Sequence, residues 1–348
     1  MSIEELMRDN IVALEPYRCA RDEFEGVAEV YLDANEYWRS YIDFPGDINR
    51  YPDPRSSLLR KAIDDVLGLD YDMTIVGNGS DEIIDLLFRI FCNPGKDSAL
   101  LMGPTYGAYK VFASINDVKV NVAPLTEEFA VDVNLVKKMI DETKPKLVFL
   151  CSPNNPTGNK IDYDTIKEIA TYNQAITVVD EAYWDFSSER SASDLVKENE
   201  RVVLMRTLSK AWGLASARIG IAMCSKKIHE AMYNVKYPYN VGLPSSTEAL
   251  KALSNSDKVR EGVEYTKKER ERLVKLLKSC DKVVKVYPSD ANFLLVKVTD
   301  ADSIYIELQK RGIVVRNRSR ELNCANCLRI TVGSREENDR LIKALGEL

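Results

Sequence analysis

The sequence predicts an α/β fold: a large unit with a mainly parallel sheet between helices, followed by a smaller α+β unit. Two observations carry this. Short apolar runs alternate with amphipathic stretches through the middle of the chain, and the texture changes after Pro244 to a long charge-laced helical pattern. The runs Thr74–Val76, Ser98–Met102, Lys146–Cys151, Ala175–Asp180, Val202–Arg206 and Arg218–Cys224 read as strands, several apolar enough for burial on both faces. Helices are expected between them at Asp81–Cys92, Tyr106–Ser114, Val133–Thr143 and Asp162–Tyr172. One long helical stretch is expected from Ser245 to about Lys278. Strands at Lys282–Tyr287 and Phe293–Val298, a helix from Ala301 to Arg311, strands at Ile313–Arg316 and Cys327–Val332, and a helix at Glu336–Leu345 complete the smaller unit. A strand at Val30–Asp33 is expected to join it. The division is therefore 1–45 for an N-terminal arm and part of the small unit, 46–264 for the large domain and 265–348 for the small one.

A chain of 348 residues buries a large core, and 45% hydrophobic with 29% charged residues is ordinary globular composition. A net charge of -6 and a pI near 5.3 argue against a nucleic-acid footprint. The segment Met1 to Asn10 is polar and acidic, unlike a signal peptide, and no apolar run reaches the length of a membrane span, so the expected compartment is the cytoplasm. Seven scattered cysteines do not form a disulfide framework. Cys324 and Cys327 make a C-x-x-C pair with no second Cys/His pair to complete four zinc ligands, so no metal is expected. The single histidine, His229, lies in the helical run Ser225–Tyr233, and no G-x-S-x-G elbow accompanies it; a Ser-His-Asp mechanism is not expected.

The chemistry-bearing motifs follow strand ends, where ligands collect on parallel sheets. They are Asn154-Asn155-Pro156-Thr157-Gly158 after Cys151, Asp180-Glu181-Ala182-Tyr183, and Arg206 through Arg218 with Lys210 inside it. Together they supply what pyridoxal 5'-phosphate (PLP) chemistry needs. Lys210 offers the amine that forms a Schiff base with an aldehyde and later moves protons. Asp180 offers a carboxylate to a pyridinium nitrogen, which keeps the ring electron-accepting. A lone aspartate after a strand also suits a helix cap, but Tyr183 three residues on presents a phenol at the same turn. Asn155 and Tyr183 suit the ring oxygen; Ser209 and the planar fork of Arg218 suit a phosphate. Gly79, Ser80 and Asp81, at a strand–turn–helix junction, are candidates for the same phosphate, the last two through backbone N–H groups. Tyr106 is a candidate stacking ring.

With these residues in place, the chain resembles the fold-type I, PLP-dependent aminotransferases of class I/II, and among them the histidinol-phosphate aminotransferase family. The likeness extends over nearly the full length. Its subfamily part lies in Glu15-Pro-Tyr17-Arg-Cys-Ala-Arg21, Leu32-Asp-Ala-Asn35-Glu-Tyr37, Arg50-Tyr51-Pro-Asp-Pro54, Val314-Val-Arg316-Asn and Cys327-Leu-Arg329-Ile-Thr-Val-Gly333. The resemblance implies a seven-stranded sheet and a homodimer in which Tyr51 reaches the partner's cofactor phosphate. It also implies that Tyr17, Asn35, Arg316 and Arg329 bind substrate, the arginines through phosphate or carboxylate. Arg329 stands inside an apolar strand, where a charge requires a designated partner. Departures from the family pattern, Ser216 for glycine, Ile221 for an aromatic and Trp38 for proline, remove no chemical group.

The implied reaction is reversible transfer of an amino group between L-histidinol phosphate and 2-oxoglutarate, in histidine biosynthesis. Alternatives are an aminotransferase for aromatic amino acids, a threonine-phosphate decarboxylase, and the sensor half of a transcription regulator. The last needs a basic DNA-binding domain, for which residues before Val30 leave no room.

Overall fold

The computed structural model describes residues 2–17, 19 and 28–348. Arg18 and Arg21 of the N-terminal motif lie outside the described residues. The strands are β1 (Thr74–Asn78), β2 (Ser98–Gly103), β3 (Lys119–Pro124), β4 (Leu147–Cys151), β5 (Ile176–Asp180), β6 (Val202–Thr207), β7 (Ile219–Met223), β8 (Val283–Val286), β9 (Phe293–Val298), β10 (Arg316–Asn317) and β11 (Cys327–Thr331). The helices are α1 (Ile3–Leu6), α2 (Asp9–Val12), α3 (Ser57–Leu67), α4 (Gly79–Phe91), α5 (Ala108–Ile115), α6 (Val133–Thr143), α7 (Tyr163–Tyr172), α8 (Ser193–Glu198), α9 (Lys226–Val235), α10 (Leu243–Leu253), α11 (Ser256–Lys278), α12 (Ala301–Lys310) and α13 (Arg335–Gly346).

The large sheet runs β1-β7-β6-β5-β4-β2-β3. Every pairing from β6 to β3 is parallel, and β7 runs antiparallel to both its neighbours. Helices cover both faces, so β2, β4, β5, β6 and β7 are buried at every position. That is why they read as continuous apolar runs rather than as alternation. The two-residue period nonetheless sorts the side chains: Leu100, Val148, Val179 and Leu204 enter one core, and Leu101, Phe149, Val178 and Val203 the other. The smaller unit is a four-stranded antiparallel sheet, β10-β11-β9-β8, whose own core draws on α11, α12 and α13. Among the described residues no helix is long and apolar enough to cross a membrane.

The structure departs from the sequence expectations in several places; the strand expected at Ile313–Arg316, for one, is only β10, and α3 and α8 were not expected. Val30–Asp33 forms no strand, and Val30 and Leu32 are exposed. β3 was not expected: as an edge strand it carries Lys119 and Asn121 and lacks the apolar density of the inner strands. The stretch from Ser245 to Lys278 is two helices, because Ser254 Oγ and Asn255 Nδ2 both donate to the Lys251 carbonyl and end α10 there. The expected division at residue 265 falls inside α11, a continuous 23-residue helix.

Candidate active site

Strand direction assembles the site. β1, β2, β4, β5 and β6 end on one edge of the sheet, and β7, being antiparallel, begins there. Cys151 is level with Asp180, and Asn78 with Ile219, so the four segments that follow or precede them share that edge. A cavity of about 110 Å³ opens at it. Ser80, Asp81, Tyr106, Asn155 and Asp180 line one part of it; Tyr183, Ser209, Lys210 and Arg218 line the rest.

Asp180 is 4% exposed. The Tyr109 hydroxyl donates to its Oδ2 at 2.5 Å, and the Ala182 N–H donates to Oδ1 at 3.0 Å. Burial pushes its carboxyl up, while those two donors and the charge of Lys210 oppose the rise. Lys210 Nζ lies 5.4 Å from the centre of the Tyr183 ring. Burial and the charge of Arg329 hold its ammonium below the ordinary lysine range, with Arg218 adding to the effect and Asp180 and Asp81 opposing it. That arrangement yields more free amine at neutral pH than an exposed lysine has. Asn155 Nδ2 is 3.4 Å from the Tyr183 hydroxyl, so an amide and a phenol stand side by side. Burial raises the Tyr183 phenol, and it pushes Tyr106, whose hydroxyl donates to Asp81 at 3.2 Å, up to about 12.

The opposite end suits an anion. No side chain caps the first turn of α4, and the Arg218 guanidinium rests against it, 3.2 Å from Asp81 Oδ2. A Cβ on Gly79, where φ is +76°, would stand 2.3 Å from Arg218 Nη2. One on Gly220 would stand 2.2 Å from the Gly79 carbonyl carbon. Only glycines allow this approach. Arg218 itself takes a left-handed backbone, φ 56°, a strain of roughly 1 kcal/mol or more that marks functional positions. The residues therefore fit a group with a basic ring nitrogen, a ring oxygen, an aldehyde and a phosphate.

Arg329, on β11, reaches over from the small sheet: Nη1 donates to Asn155 Oδ1 at 2.5 Å, and its guanidinium lies 5.4 Å from the centre of the Phe293 ring. Asn155 is thus the designated partner its burial demanded. Arg316 sits directly across the ladder from Arg329 but is exposed. The remaining three expected residues do not line this cavity. Tyr17 is 77% exposed and lines a different one with Arg55 and Lys236. Tyr51 is 51% exposed and stacks on Tyr239 with ring centres 4.5 Å apart. Asn35 is exposed with φ 53°.

Two features were not read from the sequence. One is Tyr109; its spacing of three from Tyr106 was the available signal. The other is a buried clamp behind the site. Arg206 Nε and Nη2 donate to Glu181 Oε2 at 3.0 and 2.9 Å, and the guanidinium lies 4.0 Å over the Trp184 ring. The clamp ties the end of β5 to β6 just before Lys210. Cys92, Cys151, Cys224, Cys280 and the C-x-x-C pair, Cys324 and Cys327, are free thiols.

This fold and this lysine-centred site define the class. The chain belongs to the aminotransferases of class I and II, whose family model matches residues 23–345. A histidinol-phosphate aminotransferase of Parabacteroides distasonis is 44% identical over 344 residues, covering 99% of this chain and 98% of its own. Another, of Christiangramia forsetii, is 41% identical over 351 residues, covering 100% and 98%. Among solved structures, the histidinol-phosphate aminotransferase of Clostridium acetobutylicum superposes with a TM-score of 0.79 at 24% identity, over 86% of this chain and 90% of that one. That of Sinorhizobium meliloti, in complex with pyridoxal-5'-phosphate, gives 0.77 at 22%, over 86% and 82%. At those identities the structural likeness is one of fold.

Proposed function

We propose that the protein is a PLP-dependent histidinol-phosphate aminotransferase, moving an amino group reversibly between L-histidinol phosphate and 2-oxoglutarate. The observation that carries this reading is the cavity itself, which offers one amine, one buried carboxylate, an amide–phenol pair and an anion-binding end within a chain 44% identical to such an enzyme along its length. PLP, when bound, supplies the aldehyde and the electron-accepting ring.

The chain's own residues do the rest. Lys210 would bond the cofactor's carbon and, once displaced by a substrate amine, carry the proton between substrate and cofactor as general acid–base. Asp180 would hold the ring nitrogen protonated, and Asn155 and Tyr183 would hold the ring oxygen. Ser209, Arg218 and the N–H groups of Ser80 and Asp81 would hold the phosphate. Arg329 would hold the carboxylate or phosphate of the substrate as a planar fork, with Tyr17, Asn35 and Arg316 closing the same end. Tyr51 would serve a second copy of the chain, which makes the enzyme a homodimer. Free thiols at Cys92, Cys151, Cys224, Cys280, Cys324 and Cys327 agree with a reducing compartment, the cytoplasm.

An absorption spectrum tests the reading. Purified protein carries a yellow band that bleaches with L-histidinol phosphate and returns with 2-oxoglutarate. A yellow protein that ignores L-histidinol phosphate moves the substrate to aromatic amino acids or the reaction to decarboxylation. A colourless protein that stays so with added PLP sinks the assignment.

A further inference from the structure

Among the groups around the cavity, Tyr109 has a place that the reading above leaves unexplained. It does not line the cavity and is fully buried in the first turn of α5. Its ring stacks on Phe149, 4.7 Å between centres, and meets Tyr106 edge-on at 5.5 Å and 90°. The ring is therefore held from two sides, and its hydroxyl has one direction in which to point. That direction ends on Asp180 Oδ2 at 2.5 Å.

A carboxylate this deeply buried is costly unless its oxygens are met by donors. Asp180 has one donor per oxygen: the Ala182 N–H, within its own turn, and the Tyr109 hydroxyl, from a different element. The turn alone would let the carboxylate rotate about its side chain; a second donor from α5 removes that freedom. The phenol is pushed well up by burial and by Asp180 itself, so it stays a donor throughout the working range. The other titratable groups facing Asp180 are Cys151, Tyr106 and Tyr183, all raised by burial, and the charges of Lys210 and Asp81.

We propose that Tyr109 is a positioning residue: its hydroxyl orients the Asp180 carboxylate and stabilises its negative charge, so that Asp180 can keep the cofactor's ring nitrogen protonated. The inference rests on the function proposed above. It assigns Tyr106 and Tyr109 different tasks one helical turn apart, Tyr106 facing the cavity and Tyr109 acting through Asp180.

The test is Tyr109→Phe in the full-length, PLP-loaded protein. Phenylalanine keeps the ring and both ring contacts and deletes only the hydroxyl. Without it the carboxylate draws the shared proton toward itself and the ring is left less positive. The Lys210 nitrogen then holds its own proton more tightly. The pH midpoint of the visible absorption change, measured without substrate, is expected to rise by about one unit, since a hydrogen bond to a charged group is worth about that much. The value of kcat is expected to fall roughly tenfold with KM for both substrates within about twofold, the pattern of lost transition-state stabilisation. Phe149→Leu removes the stacking partner and spares the hydroxyl; it is expected to lower Tm and leave the midpoint in place. An unmoved midpoint in Tyr109→Phe overturns the proposal whatever its Tm. So does an equal shift in Phe149→Leu, because packing alone then explains it. A wild-type protein that binds no PLP defeats the proposed function instead, so the two failures are told apart by the colour of the parent protein.

Discussion

The strand ends around Lys210 and the stretch from Ala28 to Tyr51 are opposites in one chain. At the strand ends, Asp180, Asn155, Tyr183 and Arg218 each meet a partner from another element, and Asp180 also meets the Ala182 N–H of its own turn. In the stretch from Ala28 to Tyr51, Val30, Leu32, Tyr37, Trp38, Tyr41, Ile42 and Tyr51 are all exposed, and no helix or strand forms. Its internal order comes from local contacts such as the Tyr37–Tyr41 stack and the Arg50–Glu36 ion pair at 2.8 Å. The difference teaches that several elements of one chain converge on the cavity around Lys210, while the stretch from Ala28 to Tyr51 keeps its large side chains in the open. Large aromatic side chains grouped in the open are the mark of an interaction surface.

Four substitutions break or sharpen that contrast, in order of expected effect. Lys210→Ala removes the amine and is expected to lower steady turnover at least about a thousandfold, the upper range for a lost general acid–base group. Turnover near the parent level would falsify the assignment of Lys210. Arg329→Lys keeps charge but loses the planar fork, and KM for 2-oxoglutarate is expected to rise roughly thirtyfold, with the visible band of the resting enzyme unchanged. If the band changes and KM does not, Arg329 belongs to the cofactor end instead. Tyr51→Phe is expected to weaken PLP binding about tenfold, one charge-assisted hydrogen bond, in protein whose mass in solution is that of a dimer. The same weakening in a protein shown to be monomeric would end the shared-site reading.

The smallest effect tests a place belonging to neither region. His229 is half-buried on α9, its Nε2 3.2 Å from the Thr74 carbonyl oxygen, and burial lowers it from 6.5 to about 4. Below pH 6.5 the unfolded chain takes up a proton that the folded chain refuses until about pH 4. Stability from this group is thus full above 6.5 and is lost as the pH falls toward 4. The loss is about 2 kcal/mol once the ring's partial exposure is allowed for. His229→Gln should show correspondingly weaker acid destabilisation by denaturant titration, with turnover unchanged at pH 7.5. As the chain's single histidine, its imidazole proton resonance reports the midpoint directly. A midpoint near 6.5 would contradict the burial argument.

The site was more legible than the fold around it. Lys210, Asp180, Tyr183 and Asn155 carry unusual chemistry at strand ends, and a parallel sheet brings strand ends together whatever the packing details. The inner strands were equally plain, since burial on both faces leaves them mostly apolar. β3 was hidden because an edge strand is only half buried, and Val30–Asp33 misled because alternation over four residues is too short to fix a strand without tertiary pairing. Tyr109 was missed because a tyrosine at the start of an apolar helix reads as core, and it is core apart from one oxygen.

By itself the sequence determined the α/β architecture and the cofactor class and put the candidate residues at strand ends, because these depend on residue type and on order along the chain. Only the tertiary structure decided which oxygen of Asp180 meets which donor, that Arg329 finds Asn155 from another sheet, that Gly79 must lack a side chain for Arg218 to approach, and that Gly220 must lack one for the start of α4 to pass. Those are distances between segments far apart in the chain, and they follow from strand direction and packing depth rather than from any local pattern.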